Sequence, residues 1–449
     1  MVGVSLSRWT MSYFAAALVA LLAAEIMMAT GFGFPAVAAA SPDTLILVHV
    51  VAIGWLSLLM CGALFQFLPV LVVQPLHSNA LAVPALVSLV AGLAALILAF
   101  LQFGGRIDLG VPFFTAAAVL LSLGFSLVLY NLVRTMIASK TVPLPAWFVA
   151  AGLASVVSTV ALGAIFSLVL GGVIESRPLL ALTGAGLPIH AIAGLGGWLT
   201  FTAVGVSYRL LAMFMLAPEL DGARPKSAFY LGTAALAIVI VGGVVTVLLE
   251  GNLLLTFLAA LAVALPALAF YGADAIHLYR ARKRRNIELN SRTAGIALGY
   301  LAASVALIVV LLALGRLSDH VGAVVFLVAF GWLTGLGLSQ LYKIVAFLTW
   351  LECYGPVLGK IQTPRVQDLV VEARAIKWFA LYFAAVGVGA VALLADAPTA
   401  FRFAAVAMAV GTTGIAAQLI RTRRLADVKA EARLPQGVRL PHLLLSCHT

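Results

Sequence analysis

Three histidines, His49, His190 and His320, stand near the expected outer starts of the second, sixth and tenth apolar runs of this chain. An ionisable ring inside a membrane is costly and marks a functional site by default. Neutral imidazole is also the commonest metal ligand. Residues of this type at these places call for metal or heme-iron ligation, or for proton transfer. Glu25, toward the outer half of the first run, adds a carboxyl that is either held protonated by a hydrogen bond or part of a proton path. The remaining histidines are of another kind. His77 and His277 fall at expected inner helix ends, where they meet water, and His442 and His448 lie in the C-terminal tail. Cys61 and Cys353, in or beside apolar runs, read as packing residues. Cys447 and His448 have no ligand partners nearby and read as a chain end.

The elements that must position these groups follow from composition. Of 449 residues, 63% are hydrophobic and 10% charged, with a mean hydropathy of +1.14. An ordinary soluble chain carries roughly a quarter charged residues, so a water-soluble globule is excluded, and so is a disordered chain. Three cysteines staple no disulfide scaffold. Long apolar runs fall at 10–33, 44–73, 80–103, 110–137, 146–173, 187–216, 228–249, 252–280, 292–315, 320–350, 375–395 and 399–420. Their length means helices, since a barrel strand needs only about ten alternating residues. The expected fold is all-α: a polytopic membrane protein of twelve transmembrane helices. It forms one domain over 1–424, followed by a cytoplasmic tail over 425–449. Arg8 precedes a run of full length, so the first helix reads as retained.

The basic residues orient the bundle. With a cytoplasmic N-terminus, all of the 27 Lys and Arg except Arg106, Arg177, Arg316 and Arg402 fall inside. That asymmetry places both termini in the cytoplasm. The run from Arg280 to Arg285 is read as a topology anchor, with binding to anionic lipid head groups as the alternative. The net charge of +11 therefore belongs to a lipid bilayer rather than to nucleic acid.

A repeat is written into the apolar runs. The second contains Gly54-Trp55-Leu56-Ser57, the sixth Gly197-Trp198-Leu199-Thr200 and the tenth Gly331-Trp332-Leu333-Thr334. Eleven residues after each Trp stands a polar side chain, Gln66, Arg209 or Lys343. Eleven residues are about three helical turns, so Trp and polar residue share a face. The Trp spacings of 143 and 134 imply three parallel units of four helices, about 10–140, 146–285 and 292–424. Arg209 and Lys343 are expected to snorkel to the inner interface. The mid-helix Trp residues pack between helices or against a flat ligand. Asp274 and Glu352, near inner boundaries, are expected to reach water.

Register constrains the histidines further. Counted from its Trp, His49 is at −6, His190 at −8 and His320 at −12. At about 100° per residue, His190 and His320 point nearly the same way, and His49 points roughly 120° from His320. His49 and His320 can then meet between helices 2 and 10. Because His320 lies roughly 9 Å farther out, one heme shared by both requires helix 10 to bend inward. The alternative is that His320 caps helix 10 in water beside Asp319.

Twelve helices in three parallel groups, with histidines at the outer ends of helices 2, 6 and 10, resemble subunit I of the heme-copper oxidase superfamily. The segment from His49 to Pro69 looks like that family's helix 2, with small residues Gly54, Ser57 and Gly62 and a terminal aromatic-Leu-Pro. His190 matches the helix that contributes a copper ligand, and helix 10 the one that carries heme ligands. The phrases His190 to Gly194, Tyr208-Arg209-Leu210 and Tyr342 to Phe347 look like a divergent bacterial branch. The heme- and copper-binding NnrS family of the nitric-oxide response is a more distant comparison. There are departures. Helix 10 lacks a His-x-His pair, helix 7 has no His, and Gly194 replaces the cross-linking Tyr. The resemblance therefore implies the fold without a complete oxygen-reducing centre.

The leading expectation is a bacterial inner-membrane protein that binds heme b through His49 and His320, or copper through His190, for electron transfer, gas sensing or metal handling. If it is an enzyme, it is a heme-dependent membrane oxidoreductase. One alternative is a cofactor-free transporter of protons or a metal ion, with Glu25 on the proton path. Another is a non-catalytic partner subunit, possibly a homo-oligomer, packing through Gly335-x-Gly337 and Gly387-x-Gly389. No Gly-rich phosphate loop, zinc-type Cys pair or serine-nucleophile elbow is present in the sequence.

Overall fold

The computed structural model describes residues 8–435 and 438–445, so Cys447 and His448 lie outside the described residues. Among those described, there is no β-strand, and twelve helices are long and apolar enough to cross a membrane. In chain order they are α1 Thr10–Thr30, α2 Pro42–Val72, α3 Ala82–Phe103, α4 Phe113–Ile137, α5 Leu144–Leu170 and α6 Leu187–Met215. They continue as α7 Ala223–Leu248, α8 Leu253–Arg280, α9 Leu289–Ala313, α10 Leu317–Val357, α11 Glu372–Leu394 and α12 Pro398–Arg423. Helix and apolar run differ mainly at their ends. α7 begins five residues earlier than its apolar run, through Arg224 and Lys226, because backbone bonding continues where apolar composition stops.

Local chemistry sets the ends. Ser41 accepts a bond from Thr44 N–H at 3.3 Å, with Pro42 in the first turn of α2. Asn252 accepts from Leu254 and Leu255 to start α8. α1 closes on Gly31, at φ 81°, a left-handed conformation that suits glycine.

The interior of the repeat-bearing helices is not regular α-helix. π-helical segments run over Val50–Ser57 in α2, Ile192–Phe201 in α6 and Leu327–Thr334 in α10. Each Gly-Trp-Leu-Ser/Thr motif lies within one of them. A π turn closes i to i+5 and holds more residues than an α turn. α10 also breaks at His320, whose φ of −117° and ψ of 17° are non-helical. The expectation of His directions at a uniform 100° per residue therefore does not hold, because a wider turn or a break lies between each His and its Trp.

The helices form two compact units. Unit 1 comprises residues 1–63 and 288–449, and unit 2 residues 64–287. In unit 1, α1 packs on the π segment of α2 and on α12, α9 packs on α10, and α11 lies along α12. In unit 2, α3 pairs with α4, α5 lies between α4 and α6, and α7 pairs with α8. α10 is the most enclosed span, with 72% of its apolar window buried, whereas α8 buries 11%. Trp55, Trp198 and Trp332 are all buried, in line with a packing role. Val19 and Phe403 are about 70% exposed, and a bilayer is the medium in which such faces are stable.

The segment after α12 is folded against unit 1. Leu425 and Val428 are buried with Cys353, Tyr354 and Leu369. Tyr354 donates to the Arg433 carbonyl at 2.8 Å, and Ser12 to the Leu444 carbonyl at 2.7 Å.

Candidate functional site

A chain of buried polar groups runs through unit 1. Glu25 lies on the face of α1 that buries Tyr13, Ala17, Leu21 and Met28, and it is itself fully buried. Thr412 of α12 donates to its Oε1 at 2.8 Å. Its Oε2 has no hydrogen-bond partner, and no cation among the described residues pairs with the carboxyl. Tyr382 of α11 is also fully buried. Its hydroxyl donates to the Phe330 carbonyl at 2.9 Å. Thr334 donates to the Ala329 carbonyl at 2.7 Å and accepts the Trp55 indole N–H at 2.8 Å. Both carbonyls belong to the π segment of α10, whose wide turn gives side-chain donors access to the backbone.

The histidines are distributed differently from the expectation. His49 is half-buried, and its Nδ1 lies 2.6 Å from the Leu45 carbonyl. That contact makes Nδ1 the protonated nitrogen and presents Nε2 as the lone-pair side. His320 is 6% exposed, so it is not the solvated cap that its neighbour Asp319 suggested. Asp319 turns instead to Arg316 in the exposed first turn. His190 belongs to unit 2, where its ring lies 5.6 Å from that of Phe166 and faces Gly163. His77 and His277 are exposed, as expected. Among the described residues, no three of His, Cys, Asp and Glu lie close enough together to hold one metal ion.

Comparison with protein-family models and with curated proteins gave no match.

A heme macrocycle shared by α2 and α10 would have to lie between helices that touch. Trp55 is already bonded to Thr334, and a Cβ added to Gly337 would sit 2.6 Å from Leu59 Cδ2 and 3.6 Å from Trp55 Cζ2. At this level the residues present do not fit a heme between the two helices. A copper centre with three or more such ligands has no donor group among the described residues. The small-residue faces are also occupied. Gly335 packs on Phe383 and Ala297, Gly387 on the Tyr300 hydroxyl, and Gly389 on Phe326.

Two expectations about charges are overturned. Asp274 is 1% exposed, accepts from Tyr208 at 2.9 Å and pairs with Arg224 at 2.9 Å. Glu352 is likewise buried, 2.9 Å from Arg423 of α12. Their positions near helix ends suggested water, but neighbouring helices supply cations that replace it. Arg209 pairs with Glu219, and Lys343 with Glu288 at 2.6 Å, so these repeat positions carry ion pairs in addition to any reach toward the interface. Tyr382, Thr412 and Arg423 were not singled out by sequence reasoning. For Tyr382 and Thr412 the one sequence signal is a polar side chain in an apolar run, whereas Arg423 stands in the basic stretch that follows the last run.

Proposed function

We propose that this chain is a multi-pass protein of the bacterial inner membrane, with both termini cytoplasmic, that moves protons through unit 1 with Glu25 as the proton-binding group. Its scaffold is an oxidase-subunit-I-like bundle of three four-helix repeats. Coincidence of the three Trp motifs with three π segments supports that repeat.

One observation carries the reading: a fully buried carboxyl on a membrane-spanning helix, bonded through one oxygen to Thr412 and unpartnered at the other. An unpaired carboxylate at that depth is expensive, so the group holds a proton at rest. Releasing it requires water or a solute to reach Oε2. Thr412 holds Oε1 in place during that exchange.

The test is proton flux in proteoliposomes that contain the purified chain and a pH-sensitive dye. Flux should be abolished in Glu25→Gln and partly retained in Glu25→Asp, in a preparation without a heme absorption band. A heme band that disappears in His49→Ala would overturn this reading in favour of the oxidase-like one. Flux unchanged in Glu25→Gln would overturn it outright.

A further inference from the structure

Where α9 and α11 begin, unit 1 holds a cavity of about 170 Å³ that is separate from the Glu25 chain. Its polar wall is built from Glu288 and Asn290 at the start of α9, Tyr342 and Lys343 of α10, and Glu372 of α11. Gln367 adds a further polar group, and Ala346, Val366 and Val370 make up the aliphatic part of the lining.

The two acids on the wall are engaged by the protein. Glu372 Oε1 accepts the Leu289 N–H at 2.9 Å, and its Oε2 lies 3.5 Å from Arg292. Glu288 Oε2 lies 2.6 Å from Lys343 Nζ. Two donors on this wall are also to be accounted for. The Tyr342 hydroxyl and the Asn290 Nδ2 have no hydrogen-bond partner, although the residues are 3% and 1% exposed. Buried donors are normally satisfied, and here both border the same space beside an ammonium group. A guest must therefore offer acceptor oxygens at one end and an apolar body at the other. A space of about 170 Å³ is roomy enough for several water-sized groups, and so for a small solute.

We propose that this cavity binds a short-chain monocarboxylate. The carboxylate accepts from the Tyr342 O–H and the Asn290 N–H next to Lys343, in the charge-assisted geometry that makes such bonds short and strong. The alkyl chain lies against Ala346, Val366 and Val370. The site is independent of the Glu25 reading, because binding is an equilibrium property that needs no transport step.

Equilibrium dialysis of the purified full chain against radiolabelled butyrate, with butyramide as a neutral probe of equal size, tests the proposal. The expected result is saturable binding of one butyrate per chain, at least tenfold weaker in Tyr342→Phe and in Asn290→Leu and unchanged in Glu25→Gln. Tyr342→Phe removes a single oxygen that makes no hydrogen bond within the protein, so its fold is retained and the readout is binding alone. Absence of saturable butyrate binding, equal binding of butyramide, or full affinity in both variants would overturn the proposal.

Discussion

The indole N–H of Trp55 donates to the hydroxyl of Thr334 at 2.8 Å, and both residues are fully buried. The bond joins the π segments of α2 and α10 inside unit 1. Thr334→Val keeps the shape and strands the indole donor. A loss of about 1 kcal/mol is expected, the usual scale for side-chain bonds between membrane helices. The double variant Trp55→Phe with Thr334→Val should cost less than the sum of the two single changes. Thermal unfolding in detergent measures both.

Arg423 and Glu352 form the most deeply buried ion pair among the described residues, at 4% and 5% side-chain exposure. Arg423 also donates to Thr349 at 3.1 Å and to the carbonyl of His442. Replacing Arg423 with Met removes the cation beside the buried Glu352 carboxylate together with the bonds to Thr349 and the His442 carbonyl, and the expected loss is about 3–5 kcal/mol. The double change Arg423→Met with Glu352→Gln should recover most of it. Yield of folded protein and its melting temperature are the readouts, and a double variant no better than the single one would count against a simple pair.

Two glycines should respond in opposite directions to alanine. A Cβ on Gly414 of α12 would fall on the Trp378 ring, whereas a Cβ on Gly299 of α9 meets nothing within 4 Å. Gly414→Ala is expected to destabilise by about 1–3 kcal/mol through overpacking. Gly299→Ala should be neutral or stabilise by up to about 1 kcal/mol through helix propensity. Paired melting curves decide the matter.

Asp427, beyond α12, predicts acid sensitivity. Burial pushes its carboxyl up, but bonds from Arg421 and Arg374 outweigh that effect and hold it below the ordinary carboxylate range. A depressed folded-state value means that the stabilisation is complete above the unfolded carboxylate range. It is lost as pH falls through the folded value. Thermal stability should therefore drop on acidification below the usual carboxylate range, and Asp427→Asn should flatten part of that slope. An unchanged pH profile in the variant would assign the acid sensitivity elsewhere.

The sequence by itself determined the class, the number of spans and most of their limits. Hydropathy over about twenty residues is a local property, and a bilayer reads it without reference to the rest of the chain. It also marked Trp55, Trp198 and Trp332 as special and placed Glu25 inside a span. Tertiary structure decided the rest. Whether Glu352 and Asp274 meet water or a cation depends on which helix lies alongside, and that information is absent from their own segments. The directions of His49, His190 and His320 depend on π turns and on a break at His320, which no uniform helical count anticipates. The unmet donors of Tyr342 and Asn290 became visible only when the ends of three helices and the chain leading into α11 enclosed a space between them. Helix formation is satisfied within one segment, whereas a site is satisfied only by side chains from several.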